Sequence, residues 1–206
     1  TVPLDTRRGK TFLKTFKTQH SQKQLSLGYN IVETRRRLRD EYMGKSQMEI
    51  NEQIRKFGKE NIAESFEQII FTYGGDSRPI HPSHIENSLF LCHECTYLKI
   101  DDDERNFQQH SILDEVLKTA RDAKVKALLL FHLSLRYTPE EIRETVANAV
   151  KSGKEEFKVG ILFGDRLFDP LEPGFSRRKH RTRSWEEEDP DEEDGKLPPI
   201  TLRGED

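Results

Sequence analysis

Cysteine is scarce: only two of the 206 residues are cysteine. That shortage, with no signal-like apolar run, argues against a small secreted domain built on a disulfide framework. Long hydrophobic runs are missing as well, and no stretch reaches the ~18 apolar residues of a membrane-spanning helix. A cytoplasmic compartment is the default that these absences leave. No excess of one charge sign exists either. The net charge is only −3, so any case for nucleic acid has to rest on local patches. Hydrophobic residues make up 33% of the chain and charged residues 34%, a low apolar share for a compact domain. Much of that charge sits after Arg177, in RRKHRTR and EEEDPDEED. These blocks predict a disordered charged tail over 171–206 that neutralises itself and indicates no particular partner. The remaining 1–170 is the expected folded body.

That body alternates strand-like and helix-like patterns, which predicts an α/β fold. TFLKTFKTQ (11–19) and LGYNIVE (27–33) read as strands, with His20 where the first one ends. RRRLRDEYMG (35–44) is read as basic and helical. SQMEINEQIRKFG (46–58) is read as a helix capped by Ser46, with Met48, Ile50, Ile54 and Phe57 as its stripe. FEQIIFT (66–72) is a strand running into the turn signal YGGDSRP, which places Asp76 just past a strand end. HSILDEVLKTARDA (110–123) is amphipathic, with Ile112, Leu113, Val116, Leu117 and Ala120 on one face. VKALLLFHL (125–133) reads as a buried strand delivering His132 at its C-terminal end. Thr138-Pro139-Glu140-Glu141 opens a further helix, and KVGILF (158–163) is a last strand.

The two cysteines flank a histidine and a glutamate in LFLCHECT (89–96). Their spacing invites a redox pair or half a zinc site. Residues three apart on a strand project to opposite faces, however, and no second cysteine pair exists to complete a four-sulfur site. Cys92 and Cys95 are therefore expected to be small apolar fillers, and His93 a structural residue. His20, Asp76 and His132 share a different property: each sits at a predicted strand end. Imidazole and carboxylate suit zinc and similar ions, although any one of the three alone fits an ordinary surface or core position.

Five segments occur in a fixed order: FKTQHSQKQLSLGYNIVE, IIFTYGGDSRP, HECTYL, QQHSILDEVLKTARDA and LLLFHLSLRYTPEEI. Together, over about residues 11–170, they resemble the metallo-β-lactamase superfamily. Within it they resemble the ribonuclease Z family, endonucleases that trim the 3′ end of precursor tRNA. The resemblance implies part of an αββα sandwich lacking its N-terminal portion. It implies two zinc ions, with His20, Asp76 and His132 as metal ligands and Asp76 as the bridging carboxylate. Such ions activate water and neutralise charge developing on a phosphodiester. His110 takes the place of the histidine that protonates the leaving 3′ oxygen, and Glu94 that of the carboxylate orienting it. A histidine bonded to a buried carboxylate can stay protonated near neutral pH. Ser134, Arg136 and Tyr137 fall where donors would meet a phosphate, with a structural role equally open for Arg136 and Tyr137. A homodimer is implied too.

Departures accompany the match. The family's Gly-Asp-Thr is Gly75-Asp76-Ser77 here; Cys95 stands for alanine, Ile112 for threonine and Leu133 for phenylalanine. The family's main metal motif, His-x-His-x-Asp-His, is absent from the chain. The expectation is a C-terminal portion of a longer enzyme, inactive alone. Two alternatives stand beside it: a noncatalytic RNA-binding or interaction module on a degenerate version of the fold, and another metal-dependent hydrolase of the superfamily. Arg35, Arg36, Arg37 and Arg39, followed by Arg55, Lys56 and Lys59, fall near the family's protruding tRNA-gripping arm. They fit a reduced arm contacting phosphates, or a solvated helix face.

Overall fold

The computed structural model describes residues 1–4, 10–20, 23–100 and 109–172. The expected tail over 171–206 lies outside these residues except for its first two. Among the described residues, eight strands form one mixed sheet in sequence order: β1 (Val2–Leu4), β2 (Thr11–Thr18), β3 (Ser26–Leu38), β4 (Ala63–Tyr73), β5 (Leu91–Glu94), β6 (Ala127–Phe131), β7 (Lys158–Phe163) and β8 (Arg166–Phe168). Strands β1 to β4 pair antiparallel, β4 to β7 pair parallel, and β8 returns antiparallel. Helices α1 (Gln47–Phe57) and α2 (Lys59–Ile62) lie between β3 and β4, while α3 (Leu113–Asp122) and α4 (Pro139–Gly153) make the β5–β6 and β6–β7 crossovers. The α/β expectation holds.

Successive right-handed crossovers between neighbouring parallel strands put their helices on one face of the sheet. Leu113, Val116, Leu117 and Ala120 of α3 and Ile142, Val146 and Val150 of α4 pack with Leu91, Leu128, Leu130, Val159 and Ile161 in one buried cluster. Each of the larger side chains contributes about 1.5–3 kcal/mol by leaving water. Thr138 starts α4 with a reciprocal capping box to Glu141 and Pro139 in the first turn, as the sequence predicts. Gly28 is needed for another reason: a side chain there would collide with the Phe16 ring, which crosses it into the core.

The opposite face of the sheet is apolar and open among the described residues. Tyr29 and Tyr73 are cross-strand partners at 37% and 39% exposure, Tyr73 stacks on Phe131 and Phe71 on Phe90. Parallel sheets are ordinarily covered on both faces.

One expectation needs correction and two are refined. The basic segment is not helical at its start: Arg35, Arg36 and Arg37 belong to β3, which runs past the end of β2 and pairs with β4 from Thr34↔Glu67 to Leu38↔Ala63. Alternation of Thr34, Arg36 and Leu38 with Arg35 and Arg37 leaves the choice to tertiary pairing, which favours the ladder. The helix after Ser46 forms with its capping box as expected, and its stripe is left unburied. No α1 residue is buried, and Met48 and Phe57 are exposed. The third concerns LFLCHECT, whose ladder covers only Leu91–Glu94. Cys95 lies beyond the strand, and both cysteines are buried free thiols.

Candidate active site

Two antiparallel steps bring β2 into the same direction as β4, so the C-terminal ends of β2, β4, β5 and β6 line one edge of the sheet. His20 follows β2, Asp76 follows β4, Glu94 ends β5 and His132 follows β6. That edge is where open α/β sheets place ligands. The edge is also stitched together: Arg78 N–H donates to the Gln19 carbonyl at 2.6 Å, and Cys95 N–H to that of Phe131 at 2.9 Å.

Glu94 organises the centre. Its side chain is fully buried. Oε1 accepts from Ser111 N–H at 2.9 Å, Ser77 N–H at 3.3 Å and His110 Nδ1 at 3.2 Å. Oε2 accepts from the backbone N–H and the hydroxyl of Thr96, both at 2.8 Å. Backbone amides only donate, so both oxygens act as acceptors. Burial pushes the Glu94 carboxyl above the usual carboxylate range, opposed by the Thr96 and Ser111 donors and by His132.

His110 precedes α3 and is 16% exposed at its side chain. With Nδ1 turned to Glu94, its Nε2 is left for the cleft. The His20 ring stands 5.0 Å away edge-on, and the His132 ring 5.3 Å away. Burial pushes the His110 imidazole below its ordinary value, helped by His20 and opposed by Asp76. Burial thus works against the protonated form of His110, in the opposite sense to a carboxylate contact.

His20 donates Nδ1–H to the Gln109 carbonyl at 3.1 Å, which leaves Nε2 as the lone-pair nitrogen. His132 Nε2 lies 3.4 Å from Asp76 Oδ2, with both side chains 43% exposed. A neutral His132 with its lone pair on Nε2 would face the carboxylate acceptor to acceptor, and a cation between them resolves that arrangement. Ligand atoms of Glu94, His110 and His132 also fall within 4.8 Å of one another. Glu94 is the poorer ligand of the group, because five protein donors already occupy its oxygens. The imidazoles and Asp76 are the donor set that suits a divalent transition metal.

The remaining expected residues divide. Tyr137 packs against the core and its hydroxyl accepts the Leu98 N–H at 3.2 Å. Arg136 is exposed, donates from Nε to Ser134 Oγ at 3.2 Å and lies over the Tyr97 ring, whose edge meets His110. Arg136 and Ser134 thus sit beside the histidines while Tyr137 braces the loop. His93 is structural: Nε2 accepts the Ile80 N–H at 3.2 Å and Nδ1 faces the Glu94 carbonyl at 2.7 Å. Burial pushes the Cys92 thiol up to about 11 and that of Cys95 higher still, so neither offers a thiolate.

Sequence reasoning missed Ser77, Ser111 and Thr96. The first two act through backbone amides, which no side-chain pattern reveals. Thr96 had a signal, a hydroxyl two residues beyond Glu94. Ile112 at the N-cap of α3 provides no side-chain cap, and the Leu113 N–H goes instead to the Tyr97 carbonyl at 3.0 Å.

No protein-family model matches the chain. Part of it is homologous to curated ribonuclease Z proteins. With that of Thermococcus gammatolerans it is 42% identical over 71 residues, 34% of this chain and 22% of the relative. With that of Bacillus licheniformis it is 35% identical over 82 residues, 39% and 27% of the two. The matched part spans about a quarter of the length of these relatives. Among solved structures, the human short-form tRNase Z aligns over 81% of this chain and 45% of its own at TM-score 0.44 and 17% identity. A likeness that distant carries no functional weight.

Proposed function

From the homology to ribonuclease Z, we propose that the complete protein is a metal-dependent endoribonuclease that cleaves precursor tRNA at its 3′ end, with this chain as its C-terminal portion. The observation that carries the reading is the Glu94–His110 pair facing His20, Asp76 and His132 across one sheet edge. Zinc, held by His20, Asp76 and His132 together with ligands from the family motif this chain lacks, would supply Lewis-acid activation of water and charge neutralisation. Glu94 orients His110 through Nδ1, and His110 delivers a proton from Nε2 to the departing 3′ oxygen as the P–O bond breaks. Only the protonated imidazole can do this. The lowered affinity of His110 for its proton makes it a willing donor, and the approaching phosphodiester anion favours its protonated form. Arg136 and Ser134 are placed to donate to a phosphate beside it.

The extended ladder of β3 and β4, capped by α1 and α2, is a ribbon with no β2 or β5 partner beyond Glu33 among the described residues. Its cations fit a phosphate-gripping arm. Arg35 pairs with Glu33 and Arg37 with Glu64, whereas Arg36 and Arg39 have no carboxylate partner among the described residues. The open apolar sheet face is the surface on which the rest of an αββα sandwich would lie, and a homodimer remains part of the proposal. No helix among the described residues is long and apolar enough to cross a membrane.

The test is cleavage of a precursor tRNA by the complete protein, with and without chelation of metal. Metal-dependent 3′ cleavage lost in His110→Ala and Asp76→Ala is the expected result. Binding of the precursor without cleavage by the metal-loaded protein would favour a noncatalytic RNA-binding module instead.

A further inference from the structure

Thr96 touches both halves of the site. It is 9% exposed, and its Oγ1 lies 2.8 Å from Glu94 Oε2, 3.0 Å from His132 Nδ1 and 3.1 Å from the His132 carbonyl oxygen. The hydroxyl carries one proton, and two of these three neighbours, the carboxylate and the carbonyl, can only accept. Whichever of them receives it, the hydroxyl oxygen is left to accept from the imidazole, so His132 Nδ1 must bring a proton of its own. The opposite tautomer would need the hydroxyl proton at Nδ1. That would set Oγ1 and Glu94 Oε2 lone pair to lone pair at 2.8 Å, and burial makes such a clash expensive.

The backbone gives a second, independent sign of constraint. His132 holds φ +56, a left-handed conformation rare for residues other than glycine. Such outliers persist only where the surroundings over-determine them. The chain is held on both sides of the turn: Ser134 N–H donates to the Thr96 carbonyl at 3.1 Å, and Cys95 N–H to that of Phe131 at 2.9 Å. Thr96 thus stands over both the ring and the carbonyl of the strained residue.

We propose that Thr96 is a positioning residue that fixes His132 in the Nδ1–H tautomer and so turns its Nε2 lone pair toward Asp76. Glu94 then serves two histidines at once, His110 directly through Oε1 and His132 through Oε2 and the Thr96 hydroxyl. A carboxylate backing a ligand histidine is a known way to raise ligand basicity and set ring orientation. Here one carboxylate does this for the proposed proton donor and, through a hydroxyl, for the proposed metal ligand.

The experiment uses the complete protein labelled with 15N at histidine, stripped of metal and raised in pH until the ring signals no longer change. His132 is assigned by the cross-peaks lost in His132→Gln. Long-range 1H–15N spectra are expected to show the Nδ1–H pattern for His132 in the wild type and in Thr96→Ser, and a shift toward Nε2–H in Thr96→Val. An Nε2–H pattern in the wild type overturns the proposal whether or not Thr96→Val folds, and so does an unchanged Nδ1–H pattern in a folded Thr96→Val. A zinc titration forms the second arm, which rests on the functional reading above. Thr96→Val should weaken zinc binding by about 10- to 100-fold, with Thr96→Ser restoring it. If the tautomer shifts as expected while the wild type binds no zinc, the positioning role stands and the metal reading fails.

Discussion

His93 and Glu94 are adjacent on β5, both fully buried, and face opposite sides of the sheet. His93 turns to the helix-covered side, where Ile80 N–H fixes its Nε2 as an acceptor. Glu94 turns to the strand-end cluster. The same four-residue strand therefore supplies one side chain to the packed core and the next to the candidate site.

Acidification should expose the structural half of this pair. Burial holds the His93 imidazole down at about 4, against ~6.5 in an unfolded chain. Between those values the unfolded state binds the extra proton, so stability is intact above pH ~6.5 and falls as pH drops toward 4, by about 3 kcal/mol in all. Urea unfolding of the complete protein at a series of pH values measures the slope. His93→Gln should flatten it, and an unchanged slope would show that other groups carry the pH dependence.

The chemical half is tested by rate. His110→Ala is expected to slow single-turnover cleavage of precursor tRNA by about 10²- to 10⁴-fold, while affinity for the precursor is retained. A loss confined to affinity would move His110 from proton transfer to substrate binding.

Thr72 is fully buried and donates its hydroxyl to Asn30 Oδ1 at 2.7 Å, while Asn30 Nδ2 donates to the His84 carbonyl at 2.7 Å. This ties β3, β4 and the segment before β5 into one polar network inside the sheet. Thr72→Val keeps the shape and strands the Asn30 oxygen, so a loss of about 1–3 kcal/mol is expected by denaturant titration. A neutral result would mean that water or Ser88 satisfies Asn30 in its place.

On the arm, the cations separate by their pairing. Arg36→Ala and Arg39→Ala should each reduce the salt dependence of tRNA binding by about one unit of slope in log K against log salt if each meets a phosphate. Arg35→Ala should do less, since Glu33 already engages it. Equal effects from all three would argue that the arm acts through its overall field and not through individual contacts.

The sheet and its helices were legible because periodicity and caps agree there with the tertiary outcome. α3 buries the five residues its stripe names, starting from Ile112, and α4 begins at its capping box. Strand ends pointed to His20, Asp76 and His132, and the structure brings them to one edge with His110 and Glu94. The arm was misread because a short basic stretch has no burial signal to decide between ladder and helix. The exposed α1 stripe shows that a helical period alone does not imply a core face. The donors to Glu94 were invisible for a different reason: backbone amides of Ser77 and Ser111 leave no trace in residue type.

The pairing of β3 with β4 slips by one residue between Ile31 and Val32, where Phe71 and Ile69 are successive partners and Ile70 is skipped. The extra residue is taken up in β4 as a bulge: partners on either side of it still share a face, while the bulged strand bends and twists more strongly there. β3 itself runs through the junction without interruption, so the ribbon and the sheet share one continuous strand. The ribbon begins β4 and Asp76 follows its far end, so the proposed grip and the candidate site stand at opposite ends of one strand with the bulge between them.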